Sequence, residues 1–200
     1  MSTNGHSRRS SRLPLIADRT GPVDLFVNRR VLLLADIENL CYSAQRHLHR
    51  SIRFGALGRL IRASACRCDL HAFFSSTPDD KRFQQYLEQH GWVVHQRAIE
   101  TVETYQGQQR LANIDSLLTF QAGVLVSRTR AEVIILASGD GTLVCDLAKA
   151  IANLPSPRHI MTLSLAGSTS QRLNAAHNPI IQANLEIGHD CLRPIMQVVR

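Results

Sequence analysis

Short apolar runs alternate with helix-length amphipathic stretches along this chain. Residues 31–35 (Val-Leu-Leu-Leu-Ala) are apolar without interruption and end abruptly in Asp36-Ile37-Glu38-Asn39. A run of that kind predicts a strand buried on both faces, as in the middle of a parallel sheet. Further strands are expected at 69–75, 92–97, 132–137 and 159–165. Helices are expected at 39–50, at 54–65 with Leu57, Leu60 and Ile61 on one stripe, at 113–127 with Ile114, Leu117, Leu118 and Val124 inward, and at 143–153. Thr77-Pro78-Asp79-Asp80 reads as a helix start, with Thr77 capping and Pro78 in the first turn, and Gly91 as its stop. A short helix at 168–176 and an apolar edge segment at 180–187 complete the pattern, while 100–110 reads as a long polar loop. Strands alternating with helices imply right-handed crossovers and an α/β fold. Its three layers are a mostly parallel central sheet with helices on both faces.

Composition narrows the reading. With 200 residues, one domain is expected, and 44% hydrophobic residues can supply its core; at 5% aromatic, that core is aliphatic. A net charge of +7 favours an anionic partner, nucleic acid first. No apolar run approaches the ~18 residues of a membrane span. Residues 1–29 are rich in Arg and Ser, and their apolar patch is too short for a signal-peptide core. They read as a disordered basic arm of a cytoplasmic protein, followed by one domain over 30–200. The five cysteines form no disulfide or zinc pattern.

Three carboxylates are expected at one rim of the sheet. Asp36 follows the first strand, Asp140 follows the fourth, and Asp115 opens the helix that leads into the fourth. Each has a plain structural role available. Asp140 can cap its helix, Asp115 can favour a helix N-terminus, and Asn39 can cap the first helix. Gathered in one crevice, the three acids repel unless a cation sits among them, and a hard ion with oxygen ligands, Mg²⁺ or Mn²⁺, suits them.

Residues 34–40 (Leu-Ala-Asp-Ile-Glu-Asn-Leu), 113–118 (Asn-Ile-Asp-Ser-Leu-Leu) and 136–143 (Leu-Ala-Ser-Gly-Asp-Gly-Thr-Leu) resemble, in that order, the motifs of the NYN domain, a family of PIN-like nucleases. The resemblance covers about 30–187. It implies a sheet in the order 3-2-1-4-5, an acidic Mg²⁺ or Mn²⁺ site, and hydrolysis of RNA phosphodiester bonds. Asp36, Asn39, Asp115 and Asp140 match the catalytic positions, with Asp36, Asp115 and Asp140 as metal ligands and Glu38, Thr142 and Gln121 as auxiliaries.

The chain departs from the family pattern in several places. Thr142 and Gln121 stand where acids are usual, Ala112 where a lysine is common, and His177 where a late acid is expected. A reduced acidic set implies weaker metal binding and one ion rather than two. It also keeps open a second class, a catalytically degenerate module that binds RNA or a protein partner. Lys81, Arg82 and Arg110 are candidate backbone contacts for RNA, Tyr105 is a candidate for base stacking, and a second copy of the chain is a further candidate partner. A phosphatase would need a second aspartate two residues after Asp36, where Glu38 stands. A dinucleotide site would need a G-x-G-x-x-G after the first strand, and none is present.

Overall fold

The structure, a computed structural model, describes residues 16–18, 25–77, 80–104, 107–111 and 114–195, with the backbone alone for 16–18, 100–104 and 107–111. Its strands are β1 (Ile16–Asp18), β2 (Arg30–Asp36), β3 (Arg50–Ile52), β4 (Arg67–Ser76), β5 (Trp92–Ala98), β6 (Glu100–Thr104), β7 (Gly107–Leu111), β8 (Val133–Ala137), β9 (His159–Ser164), β10 (Ala183–Ile187) and β11 (Leu192–Pro194). Its helices are α1 (Ile37–Leu48), α2 (Phe54–Ser64), α3 (Lys81–Gln89), α4 (Ile114–Arg128) and α5 (Gly141–Ala152).

β2 is the central strand. It pairs in parallel with β4 on one side and β8 on the other, so both of its edges are hydrogen-bonded. Residues of opposite parity along β2 serve two separate cores. Val31, Leu33 and Ala35 pack with α1, α2 and the partly buried Phe83 and Tyr86 of α3. Leu32 and Leu34 pack with Leu118, Ala122 and Val126 of α4 and with Val144, Leu147 and Ala148 of α5. That division explains the uninterrupted apolar run, because each face of the strand carries its own layer of helices. The result is a three-layer α/β sandwich.

The full sheet runs β1-β10-β9-β8-β2-β4-β5, with six parallel strands and an antiparallel β1 at one border. This differs from the five-stranded array 3-2-1-4-5. The five expected strands lie side by side as β5-β4-β2-β8-β9, and β10 and β1 extend the sheet beyond β9. The segment expected as an edge strand at 180–187 is therefore interior, because β1 pairs with β10 from Ile16↔Ile187 to Asp18↔Leu185.

Three local expectations are corrected. The polar loop at 100–110 is a hairpin, with β6 and β7 paired from Glu100↔Leu111 to Thr104↔Gly107. The N-cap position of the helix after β4 is Asp80 and not Thr77, and Pro78 and Asp79 lie outside the described residues. The Asp80 carboxylate accepts from the Thr77 backbone N–H at 2.6 Å and its hydroxyl at 2.9 Å, so it is spent on Thr77 and makes no cap bond to the helix. The helix expected at 168–176 is only a 3-10 turn, Gln171–Leu173. Ser168 Oγ bonds back to the Leu165 carbonyl, and Asn174 Oδ1 accepts from the Ala176 N–H, so side chains compete there with helical bonding.

Leu33 is fully buried under the α1–α2 layer. Leu33→Ala is expected to lower unfolding stability by about 2–5 kcal/mol, measured by urea denaturation. A loss well below that range would mean the layer can collapse onto the gap.

Candidate functional site

The carboxyl ends of β2 and β8 lie side by side, in register from Val31↔Val133 to Ala35↔Ala137. The next residues out are Asp36 and Ser138. Asp36 is the N-cap of α1: its Oδ1 accepts from the Asn39 N–H at 3.1 Å. Ser138 Oγ donates to Asp36 Oδ2 at 3.2 Å and accepts from the Asp140 N–H at the same distance. The side chain of Asn39 crosses between the two loops, its Oδ1 accepting from the Gly139 N–H at 2.7 Å. The cap of the first helix is thus Asp36 and not Asn39, and Asn39 instead clasps the β8–α5 loop.

Glycine is required in that loop because it passes close to the chain after β9. A Cβ on Gly139 would meet the Ser168 carbonyl oxygen at 2.6 Å, and one on Gly141 would collide with the Ser170 side chain. Asp140 then caps α5, with Oδ1 accepting from the Thr142 and Leu143 N–H groups at 2.8 and 3.1 Å.

The electrostatics centre on Asp36. It is only 5% exposed, and its pKa is pushed up from 3.8 to about 6, chiefly by burial. The bonds from Asn39 and Ser138 pull the value down, and the charges of Asp115 and Glu38 push it up further. Burial of the thiol, with the charges of Asp36 and Glu38 adding to it, also pushes Cys41 up to about 11, which disfavours its thiolate. Glu38 is tied down: its Oε1 accepts from the Ser75 N–H at the end of β4, at 2.6 Å.

The expected residues are therefore gathered in part. The charges of Asp115 and Glu38 both act on Asp36 at the carboxyl rim. Asp140 stands on the neighbouring loop, with one carboxylate oxygen committed to its own helix. Thr142 is exposed, and its hydroxyl accepts only a long 3.5 Å bond from Arg172. Gln121 lies six residues along α4 from Asp115, about 9 Å down the axis and about 120° round it, which removes it from the rim. Lys81 and Arg82 are exposed at the start of α3. Tyr105 lies outside the described residues, as does the side chain of Arg110.

Sequence reasoning did not single out Ser138. Its signal was the β2–β8 register, which sets it rather than Asp140 directly beside Asp36.

Among the described residues, no three His, Cys, Asp or Glu side chains form a cluster able to hold a metal ion between them. The donor set suits instead an ion that takes one or two carboxylates and keeps most of its waters, as Mg²⁺ does. Asp36 fits that description, being a buried carboxylate flanked by further acids.

The fold of this parallel α/β sheet has counterparts among known proteins. The NYN domain model matches residues 30–184, and the chain belongs to the NYN domain family. A crystal structure of a protein of unknown function from Vibrio parahaemolyticus RIMD 2210633 is similar in fold. Its TM-score is 0.66 at 18% identity, over 83% of this chain and 97% of that one. Comparison with functionally curated proteins finds no significant match.

The raised pKa of Asp36 carries a pH signature. Between about pH 4 and 6 the folded chain holds this proton more tightly than the unfolded chain, so its contribution to stability falls as pH rises through that window. Asp36→Asn keeps an oxygen acceptor and removes the buried charge. The variant should gain up to about 3 kcal/mol at pH 7.5 and lose that advantage below about pH 4, read by urea unfolding at both pH values. Lower stability than the parent at pH 7.5 would refute the buried-charge assignment.

Proposed function

We propose that the chain is a PIN-like ribonuclease that hydrolyses RNA phosphodiester bonds with Mg²⁺ or Mn²⁺ at the carboxyl rim of β2 and β8. The observation that carries this is Asp36, buried, drawn toward protonation and facing the charges of Asp115 and Glu38 in a chain of the NYN family. A divalent cation is the partner that relieves this crowding. Asp36 and Asp115 would hold the ion, with Asp140 adding charge through one of its waters. When bound, the ion supplies a water of lowered pKa and polarises the scissile phosphate.

The protein's own groups do the rest. Asn39 spends its carbonyl oxygen on Gly139, which leaves its amide N–H groups to orient a phosphate oxygen. Ser138 holds Asp36 in one rotamer while bridging to the backbone of Asp140. Lys81 and Arg82 flank the rim and would grip the RNA backbone, and the basic stretch 1–29 would add attraction that fades with salt.

A second reading has its own support. Asp140 uses one oxygen as a helix cap, Thr142 brings no charge, and the described residues hold no three-ligand cluster. These features favour an RNA-binding module that has lost cleavage.

Cleavage of a labelled single-stranded RNA separates the two. The nuclease reading expects cleavage with Mn²⁺, none with chelator, and a loss of about 100-fold or more in Asp36→Asn. Asp140→Asn preserves the cap and removes the charge, so it tests that carboxylate without unravelling α5. Equal cleavage by parent and Asp36→Asn sinks the nuclease reading. Metal-independent RNA binding without cleavage favours the module.

A further inference from the structure

The opposite rim of the sheet holds a second feature. There β2 and β4 begin and α4 ends, and a cleft of about 380 Å³ opens between them. Arg30, Arg67, Arg128 and Arg130 line it, with Asp69 as the one acid in its wall. Arg30 is neutralised by Glu132, its Nε 3.2 Å from Oε2, and Arg67 lies 3.6 Å from Asp69. Arg128 and Arg130 are exposed, and neither has a carboxylate partner among the described residues.

A lysine or arginine near a helix C-terminus often serves only to meet the last carbonyls. Here the carbonyls that follow α4 are met by Arg158, from outside the helix. Its guanidinium donates to the Ala131 carbonyl at 2.7 Å and to the Thr129 carbonyl at 3.3 Å. Arg128 and Arg130 line the same concave, polar cleft, and the carbonyls beyond α4 are met by Arg158 rather than by them. Arginine is the side chain best suited to grip phosphate oxygens there, with two parallel donors per group.

We infer that this cleft is a second anchor for the phosphodiester backbone of RNA, with Arg128 and Arg130 each engaging a phosphate. The inference rests on RNA being the ligand of the chain, but not on the chain cutting it. The cleft lies about 20 Å from Asp36, the length of β2. Because helices cover both faces of β2, a strand touching both rims passes over a helix layer, so at about 3.4 Å per nucleotide it needs more than about six nucleotides. Such an anchor fixes the strand without reading its sequence.

The test is binding of a fluorescent 20-nucleotide single-stranded RNA by the full chain in chelator, followed by anisotropy over a salt series. Arg128→Ala/Arg130→Ala is expected to bind about tenfold more weakly at 50 mM salt, and its log–log salt slope should be shallower by about 1.4. Arg59→Ala/Arg193→Ala removes the same charge elsewhere on the surface and is expected to bind like the parent. Arg130→Ala alone, beyond the end of α4, guards against a weakened helix and should show about half the change in slope. Equal loss in the two double variants overturns the inference, because net charge alone would then explain binding. Failure of the parent to bind the 20-mer overturns it too. The Mn²⁺ cleavage assay judges the nuclease reading separately.

Discussion

Asp36 sits where the protein offers its charge little water and few donors. Two hydrogen bonds, from the Asn39 backbone and the Ser138 hydroxyl, are all that offset burial and two neighbouring acids. The placement is dictated by the sheet. β2 is covered on both faces and paired on both edges, so its last residue leaves the core with nowhere to turn but the crevice between α1 and the β8–α5 loop. Everything else at the rim is arranged around that group. Asn39 clasps the facing loop, Glu38 ties α1 to the end of β4, and the glycines at 139 and 141 let the chain after β9 close in. A carboxylate kept in this state is a standing electrostatic cost, and sites of that kind concentrate where chemistry or binding recovers it.

Much of the architecture could be read from the chain because its central strands carry the strongest pattern available. The run at 31–35, the run at 132–137 and the helix stripe at 54–65 each admit one secondary structure, and alternation of strand and helix then leaves few topologies. Weak pattern explains the misses. The sequence of β6 and β7 is mostly polar, so no apolar alternation marks the hairpin. β3 and β11 are three residues each, too short for a period to register, yet Leu192 and Ile52 pair at the edge of the core. Ser168 and Asn174 undo an otherwise helical stretch through bonds that only the folded loop reveals.

The site was legible to the level of strand ends and no further. That Asp36 and the β8 loop would meet follows from two parallel strands being neighbours. Which side chain would meet Asp36 depends on register, and register places Ser138 there. Asp140 is two residues beyond, at the distance that suits a helix cap. Gln121 illustrates the same limit on a helix: it matches a motif position, but the turn of α4 carries it away from Asp115. The reduced acidity seen in the chain is thus matched in three dimensions by a looser gathering of charge.

The Asp140 amide, the Ser138 hydroxyl and the Asp36 carboxylate form a single file of donors and acceptors. A hydroxyl carries one hydrogen, so Ser138 can serve Asp36 as donor only while that oxygen is bare. Burial favours protonation of Asp36, and a proton on Oδ2 would make that oxygen a donor, so the serine hydroxyl would no longer be needed to donate to it. The two loops at the rim are in this way coupled through one rotatable O–H bond.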